Sequence, residues 1–208
     1  MKQRAILLAT RSAGKLRELR PLFAARKIQI MDLLEAGIEP RPEEADVESF
    51  ATFDENAVAK ARYFFERSGG TPTIADDSGL EAVALGGAPG VHSKRWSGHA
   101  HLEGRALDNA NNEALLAELQ DMTDRRARYV CVAAYVDERC ELTRRGQTTG
   151  TIGHESRGQH GFGYDPYFVS SELGLTFAEL APEEKERVSH RGRAFRALLR
   201  ALEARPRG

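Results

Sequence analysis

The chain has 208 residues, 41% hydrophobic and 29% charged, with 30 Lys and Arg against 31 Asp and Glu for a formal net charge of −1. This length and composition exclude a disordered chain and suit one domain over residues 1–208, or at most two small ones, with a real core. The near-neutral balance excludes a surface-wide field for polyanions, so any nucleotide is expected in a local pocket.

Residues 4–9 form an apolar run predicted as a short β-strand, ended by Thr10-Arg11-Ser12-Ala13-Gly14. From Lys15 the pattern turns helical, with Leu16, Leu19, Leu22 and Phe23 spaced for one buried face. Residues 28–31 read as a second strand, and the acidic, proline-containing stretch 37–50 as a loop. Thr52 and Glu55 have capping-box spacing for a helix that runs to about Arg67 and stops at Gly69-Gly70. Residues 71–75 are expected as a short strand ending in Asp76-Asp77-Ser78-Gly79, followed by an irregular glycine-rich stretch over 86–98. A helix over 102–120 precedes the clearest strand, 127–136, with 140–150 as its antiparallel neighbour. Residues 153–166 hold four glycines and read as a loop, and 183–204 close the chain as one helix. No repeat or linker divides the chain, so the expected fold is α/β, a mixed sheet flanked by helices with its antiparallel part in the second half.

The longest apolar run, Tyr129 to Val136, falls far short of the ~20 residues of a membrane span. The first residues loosely mimic a secretion signal, but their apolar part stops at Thr10-Arg11, short of the roughly 7–15 residues such a region needs. Cys131 and Cys140 lack metal or redox spacing, and Cys131 reads as a buried thiol. A soluble cytoplasmic protein is the expectation.

Out-of-place polar residues gather at strand ends. The junction Thr10–Lys15 joins a helix start to a lysine, which suits a phosphate; an ordinary capped helix is the alternative. Ala9 stands where a Walker loop needs its first glycine. Asp76-Asp77 after an apolar strand can meet a hard cation that takes one or two carboxylates plus phosphate oxygens, or else brace a turn. Asn56 and Lys60 share one helix face. In Gly161-Phe162-Gly163-Tyr164-Asp165-Pro166, the glycines let a planar ligand approach Phe162, unless the segment is a plain aromatic-anchored turn. Lys185 and Ser189-His190-Arg191-Gly192 add cations, and an arginine fork fits O6 and N7 of a keto purine; a basic solvated helix is the alternative. His92, His99, His101, His154 and His160 form no zinc pattern and are expected in solvent.

With these segments in hand, the chain resembles the inosine/xanthosine triphosphate pyrophosphatase family. The resemblance rests on Leu8-Ala9-Thr10-x-x-x-Gly14-Lys15, Phe53-x-Glu55-Asn56-Ala57-x-x-Lys60-Ala61, Ala75-Asp76-Asp77-Ser78-Gly79-Leu80 and Gly87-Ala88-Pro89-Gly90-Val91. It continues in order through Gly161–Pro166, Ala178-Glu179-Leu180 and Ser189–Gly192, nearly the whole chain. It implies hydrolysis of a non-standard purine nucleoside triphosphate (dITP or ITP, XTP) to monophosphate and pyrophosphate with Mg²⁺. It also implies an elongated fold with two lobes and a cleft, usually a homodimer. By position, Asp77 matches the general base and a metal ligand, and Glu48 a second metal ligand. Thr10, Arg11, Ser12, Ala13, Gly14, Lys15 and Lys60 match phosphate-handling positions. Ser78, Phe162, Gly163, Tyr164, Asp165, Lys185, His190 and Arg191 match the substrate pocket, with Phe162 against the purine.

Two departures stand out. Ser12 replaces the usual Asn, which removes a side-chain amide contact worth about 0.5–1.5 kcal/mol and predicts weaker binding rather than none. His92 and Lys94 stand where Tyr and Ala are common. Related Maf-type nucleotide pyrophosphatases, and a non-catalytic nucleotide sensor, are the alternative readings. A nucleic-acid-binding module is disfavoured by the balanced charge.

Overall fold

The computed structural model of the chain describes residues 5–205, so the leader-like residues 1–4 lie outside it. Six strands form one open mixed sheet in the order β2-β1-β3-β4-β5-β6. These are β1 (Ile6–Leu8), β2 (Ile30–Asp32), β3 (Thr73–Ala82), β4 (Arg126–Val136), β5 (Glu141–Ile152) and β6 (Phe168–Ser170). Five α-helices accompany them: α1 (Ala13–Ala24), α2 (Phe53–Arg67), α3 (Gly104–Glu118), α4 (Pro182–Val188) and α5 (His190–Glu203). β1 pairs in parallel with both β2 and β3, while β5 pairs antiparallel with β6. β4 and β5 are bonded neighbours joined by four residues, a connection that only antiparallel strands can use. The expected α/β class is thus found.

The chain divides into two compact units, one of residues 1–77, 131–146 and 191–208, the other of 78–130 and 147–190. Each has its own core. In the first, Leu19, Leu22 and Phe23 of α1 pack with Phe195, Leu198 and Leu199 of α5 and with Leu8, Ile74 and Cys131 of the strands. Phe23 meets Phe195 edge-on at 6.0 Å. In the second, Tyr129, Phe168, Phe177, Leu115 and Leu119 form the centre. The predicted cap of α2 is present, Thr52 Oγ1 accepting from Glu55 N, and Ser12 caps α1, its Oγ accepting from Lys15 N. Both cysteines are free, and Cys131 is buried. Among the described residues no helix is long and apolar enough to cross a membrane.

Three expectations need correction. The strand expected to end before Asp76 continues through Asp76-Asp77-Ser78-Gly79 to Ala82. Aspartates disfavour strands on propensity, but here each carboxylate has partners that outweigh it. The final helix is not continuous. Ser189 is extended (φ −72°, ψ 153°), separating α4 from α5. The carbonyl of Val188, which an unbroken helix would pair internally, accepts instead from the buried Thr148 hydroxyl of β5 at 2.7 Å. Strand β6 was not anticipated, because Phe168–Ser170 is too short to show a period.

Thr148→Val keeps the side-chain shape and removes the donor at this break. Urea denaturation should show a loss of about 1–3 kcal/mol, the cost of a stranded buried carbonyl; an unchanged midpoint would mean the break does not depend on that bond.

Candidate active site

The first unit gathers three cations around two adjacent carboxylates. Successive strand residues face opposite sides of a sheet, so Asp76 and Asp77 meet different helices. Asp76, 1% exposed, receives Lys15 Nζ of α1 at 2.9 Å on Oδ2 and Arg191 Nε of α5 at 3.4 Å on the same oxygen. Lys15 also donates to the Asp76 carbonyl at 3.2 Å, and the Cys131 thiol lies 3.7 Å from Oδ2. Arg191 Nη1 is in turn paired with Glu18 of α1 at 2.6 Å. Burial pushes the Asp76 carboxyl up, but Lys15, Arg191 and Lys60 outweigh it and hold it well below the usual carboxylate range.

Asp77 is treated differently. Its Oδ2 accepts from Asn56 Nδ2 of α2 at 2.9 Å. Asn56 is itself fixed by the backbone of Phe50, donating to its carbonyl at 3.3 Å and accepting its N–H at 2.9 Å. Burial raises the Asp77 carboxyl; Lys15 and Lys60 pull it down, Glu48 pushes it up again, and the net shift is upward. Lys60, one turn along α2 from Asn56, pairs with Glu48 Oε1 at 2.6 Å. Burial lowers the Lys60 ammonium, yet Glu48, Asp76 and Asp77 hold it above its ordinary value. Burial also raises Glu48, and Lys60 with Lys15 brings it below the usual range.

The loop carrying Glu48 is tied down by Glu44. This carboxylate accepts from Arg11 Nε and Nη2, both at 2.8 Å, and from Arg67 Nη1 at 2.7 Å. Arg11 and Arg67 also donate to the carbonyls of Ile38 and Glu39. Arg11 of the expected phosphate loop is therefore a clamp on residues 38–44.

In the second unit, Asp165 organises the aromatic turn. Its Oδ2 accepts from Phe162 N at 2.8 Å and from the buried Lys185 Nζ at 2.5 Å. Lys185 Nζ lies 5.2 Å from the centre of the half-buried Phe162 ring. Gly161 has φ +76°, and a Cβ there would meet Asp165 Oδ2 at 2.1 Å, so only glycine fits. The Tyr164 hydroxyl donates to the Ser93 carbonyl at 2.7 Å. His190 is buried and stacks on Tyr129 at 4.4 Å and 5°.

A family model described as the Ham1 family matches residues 6–201. The chain belongs to the Ham1 family. A dITP/XTP pyrophosphatase of Bordetella pertussis is 47% identical over 97% of this chain and 92% of the relative. One of Mycolicibacterium paratuberculosis is 46% identical over 98% of both. Among solved structures, a HAM1 protein from Coxiella burnetii superposes with a TM-score of 0.82 at 35% identity, covering 98% of this chain and all of that one. A nucleoside-triphosphatase / dITP/XTP pyrophosphatase from Mycobacterium abscessus gives 0.70 at 42% identity, covering 94% and 98%.

Within this Ham1-family chain, the structure brings Lys15, Glu48, Asn56, Lys60, Asp76, Asp77 and Arg191 into one network in the first unit. Phe162, Asp165, Lys185 and His190 belong to the second. Arg191, expected at a purine edge, has its guanidinium on Glu18 and Asp76. Glu18 and Glu44 went unnoticed in the sequence, where nothing marks either as paired with an arginine. The five remaining histidines are exposed, as expected. Among the described residues no three of His, Cys, Asp and Glu converge as a ready metal cluster. The donors Glu48 and Asp77 nevertheless suit a hard cation: they are oxygen ligands whose mutual repulsion helps keep Asp77 high, a repulsion a divalent ion relieves.

Because folding depresses the Asp76 pKa, its stabilisation is full above the ordinary carboxylate range and is lost as pH falls through the lower folded value. Asp76→Asn should therefore lower the melting temperature at pH 7 and shrink that deficit at the acid limit. A deficit that stays constant as pH falls from 7 through and below the ordinary carboxylate range contradicts the assignment.

Proposed function

We propose that this chain hydrolyses non-standard purine nucleoside triphosphates, dITP or ITP and XTP, to the monophosphate and pyrophosphate. The observation that carries this reading is the split between two neighbouring carboxylates: Asp76 is neutralised by Lys15 and Arg191, while Asp77 is held high beside Glu48. The names of the relatives support the same chemistry.

In this reading Glu48 and Asp77 hold Mg²⁺, which when bound supplies positive charge against the triphosphate oxygens. Asp77 is the general base. Its carboxylate, fixed by Asn56, takes the proton of the water that attacks the α-phosphorus, and pyrophosphate departs. The loop Thr10, Arg11, Ser12, Ala13, Gly14 and Lys15, with the start of α1, binds phosphate together with Lys60, the Arg11 guanidinium staying on Glu44 while its backbone forms part of the loop. An ammonium has three donors; Lys15 spends two on Asp76 and Lys60 one on Glu48, so both retain capacity for phosphate oxygens. Arg191 acts through Asp76, keeping it ionised so that Lys15 stays aimed.

Ser78, Phe162, Gly163, Tyr164, Asp165, Lys185 and His190 serve the nucleoside. Phe162 stacks on the base, and Lys185, held beside that ring by Asp165, donates to O6 of a keto purine. Adenine presents an amino group there and leaves the donor unpaired, which disfavours ATP. The proposal extends to a homodimer acting in the cytoplasm without membrane or stable nucleic-acid partners, on the strength of the family resemblance.

Pyrophosphate release should be at least about tenfold faster from dITP and XTP than from ATP, the discrimination expected of a read-out hydrogen bond. Equal rates on all three contradict the specificity, and binding without product would favour a sensor. Chelation with EDTA should stop turnover and Mg²⁺ restore it. Asp77→Asn should cut turnover by about 10²–10⁴-fold while the melting curve stays cooperative; near-wild-type turnover removes Asp77 as the base.

A further inference from the structure

Phe162 sits between two glycines, and the second, Gly163 (φ +62°), has no side chain with which to anchor the turn. Its peptide groups are the only handles. Both are held by one face of α3. Gly163 N donates to Asp108 Oδ2 at 2.9 Å, and Asn112 Nδ2 donates to the Gly163 carbonyl at 2.9 Å. Asp108 and Asn112 are four residues apart, the spacing that stacks side chains on a helix. The same Asn112 amide nitrogen donates to the Asp108 carbonyl at 2.8 Å, so both its N–H groups are used.

Asn112 is a costly choice for structure alone. It is 5% exposed, and its Oδ1 is buried with no hydrogen-bond partner among the described residues. Turning the amide over would aim that oxygen at two carbonyls, so the orientation is forced by the acceptors. The position tolerates a stranded oxygen to keep a two-donor group over Gly163. Its neighbour Asn111, also buried, braces a second loop, accepting from Ser97 N at 2.8 Å and donating to the Lys94 carbonyl at 2.9 Å.

We propose that Asn112 and Asp108 are positioning residues for the aromatic turn. They touch no substrate; by holding both ends of the Gly163 peptide they set the attitude of Phe162 and hence affinity for the nucleoside half of the ligand. The inference rests on the nucleotide reading above and adds to it a device outside the substrate-facing residues.

The test is calorimetric titration of the full chain with two probes, inosine monophosphate and pyrophosphate with Mn²⁺. Asn112→Ala should weaken inosine monophosphate by about three- to tenfold, the effect of one lost hydrogen bond, and leave pyrophosphate within about twofold. Asp108→Asn, which keeps an acceptor for Gly163 N, should retain near-wild-type affinity for both. If Asn112→Ala does not fold, Asp108→Ala, at a half-buried position, carries the same expectation. Unchanged inosine monophosphate binding in a folded variant overturns the proposal, as does equal weakening of both probes, the mark of general loosening. A wild-type chain that binds neither probe removes the nucleotide reading and this inference with it, whereas wild-type binding of both with no effect of either alanine variant overturns the inference alone.

Discussion

A buried carboxylate with no other route to neutrality, Asp76, draws Lys15 from α1 and Arg191 from α5 onto a single oxygen, and much of the first unit follows from that demand. An isolated ion in this setting would cost several kcal/mol, and breaking a buried pair by removing one partner costs about 3–5 kcal/mol. Arg191 then needs a second anion, which Glu18 provides from the same helix as Lys15. Helices α1 and α5 are thus joined by charge as well as by the Phe23–Phe195 contact. The Asp76 charge is thus balanced inside the protein through Oδ2 alone, its Oδ1 being buried with no hydrogen-bond partner among the described residues, while the next residue along the strand, Asp77, turns to α2.

The pleat of β3 makes that division possible. Asp77 meets α2, whose Asn56 and Lys60 sit one turn apart and link it to the segment bearing Glu48 and Phe50. The acidic segment is anchored independently through Glu44, Arg11 and Arg67. Two separate devices therefore fix the position of Glu48, one at each side of it in sequence. The second unit is organised differently. It relies on stacked rings, the buried Lys185–Asp165 pair and backbone groups captured by α3.

Local signals carried much of the fold. The heptad-like spacing of Leu16 to Phe23, the Thr52 cap and the apolar run to Val136 sit in the elements they predict, because each depends on neighbours within a few residues. The failures share a physical cause. Asp76-Asp77 looked like a turn because the cations that let it stay in a strand lie 61 and 115 residues away. The break at Ser189 was hidden by helical periodicity on both sides, and the Thr148 hydroxyl that takes over the Val188 carbonyl belongs to another element. Of the network in the first unit, Lys15, Glu48, Lys60 and Asp77 stood out by order and spacing, but the pairing of Arg191 with Glu18 and Asp76 did not, since a guanidinium suits a carboxylate pair as well as a purine edge. Asn112 left no trace at all; a buried asparagine in a helix shows its purpose only when the carbonyl it serves is located.

The central claim is that Asp76 spends its charge within the protein while Asp77 keeps its own for a cation. Titration with Mn²⁺ followed by electron paramagnetic resonance tests it directly in the wild-type chain and in Asp77→Asn. The account predicts saturable binding that weakens by at least about tenfold in the variant, as for loss of one of two protein ligands. Equal affinity in the two proteins would contradict it.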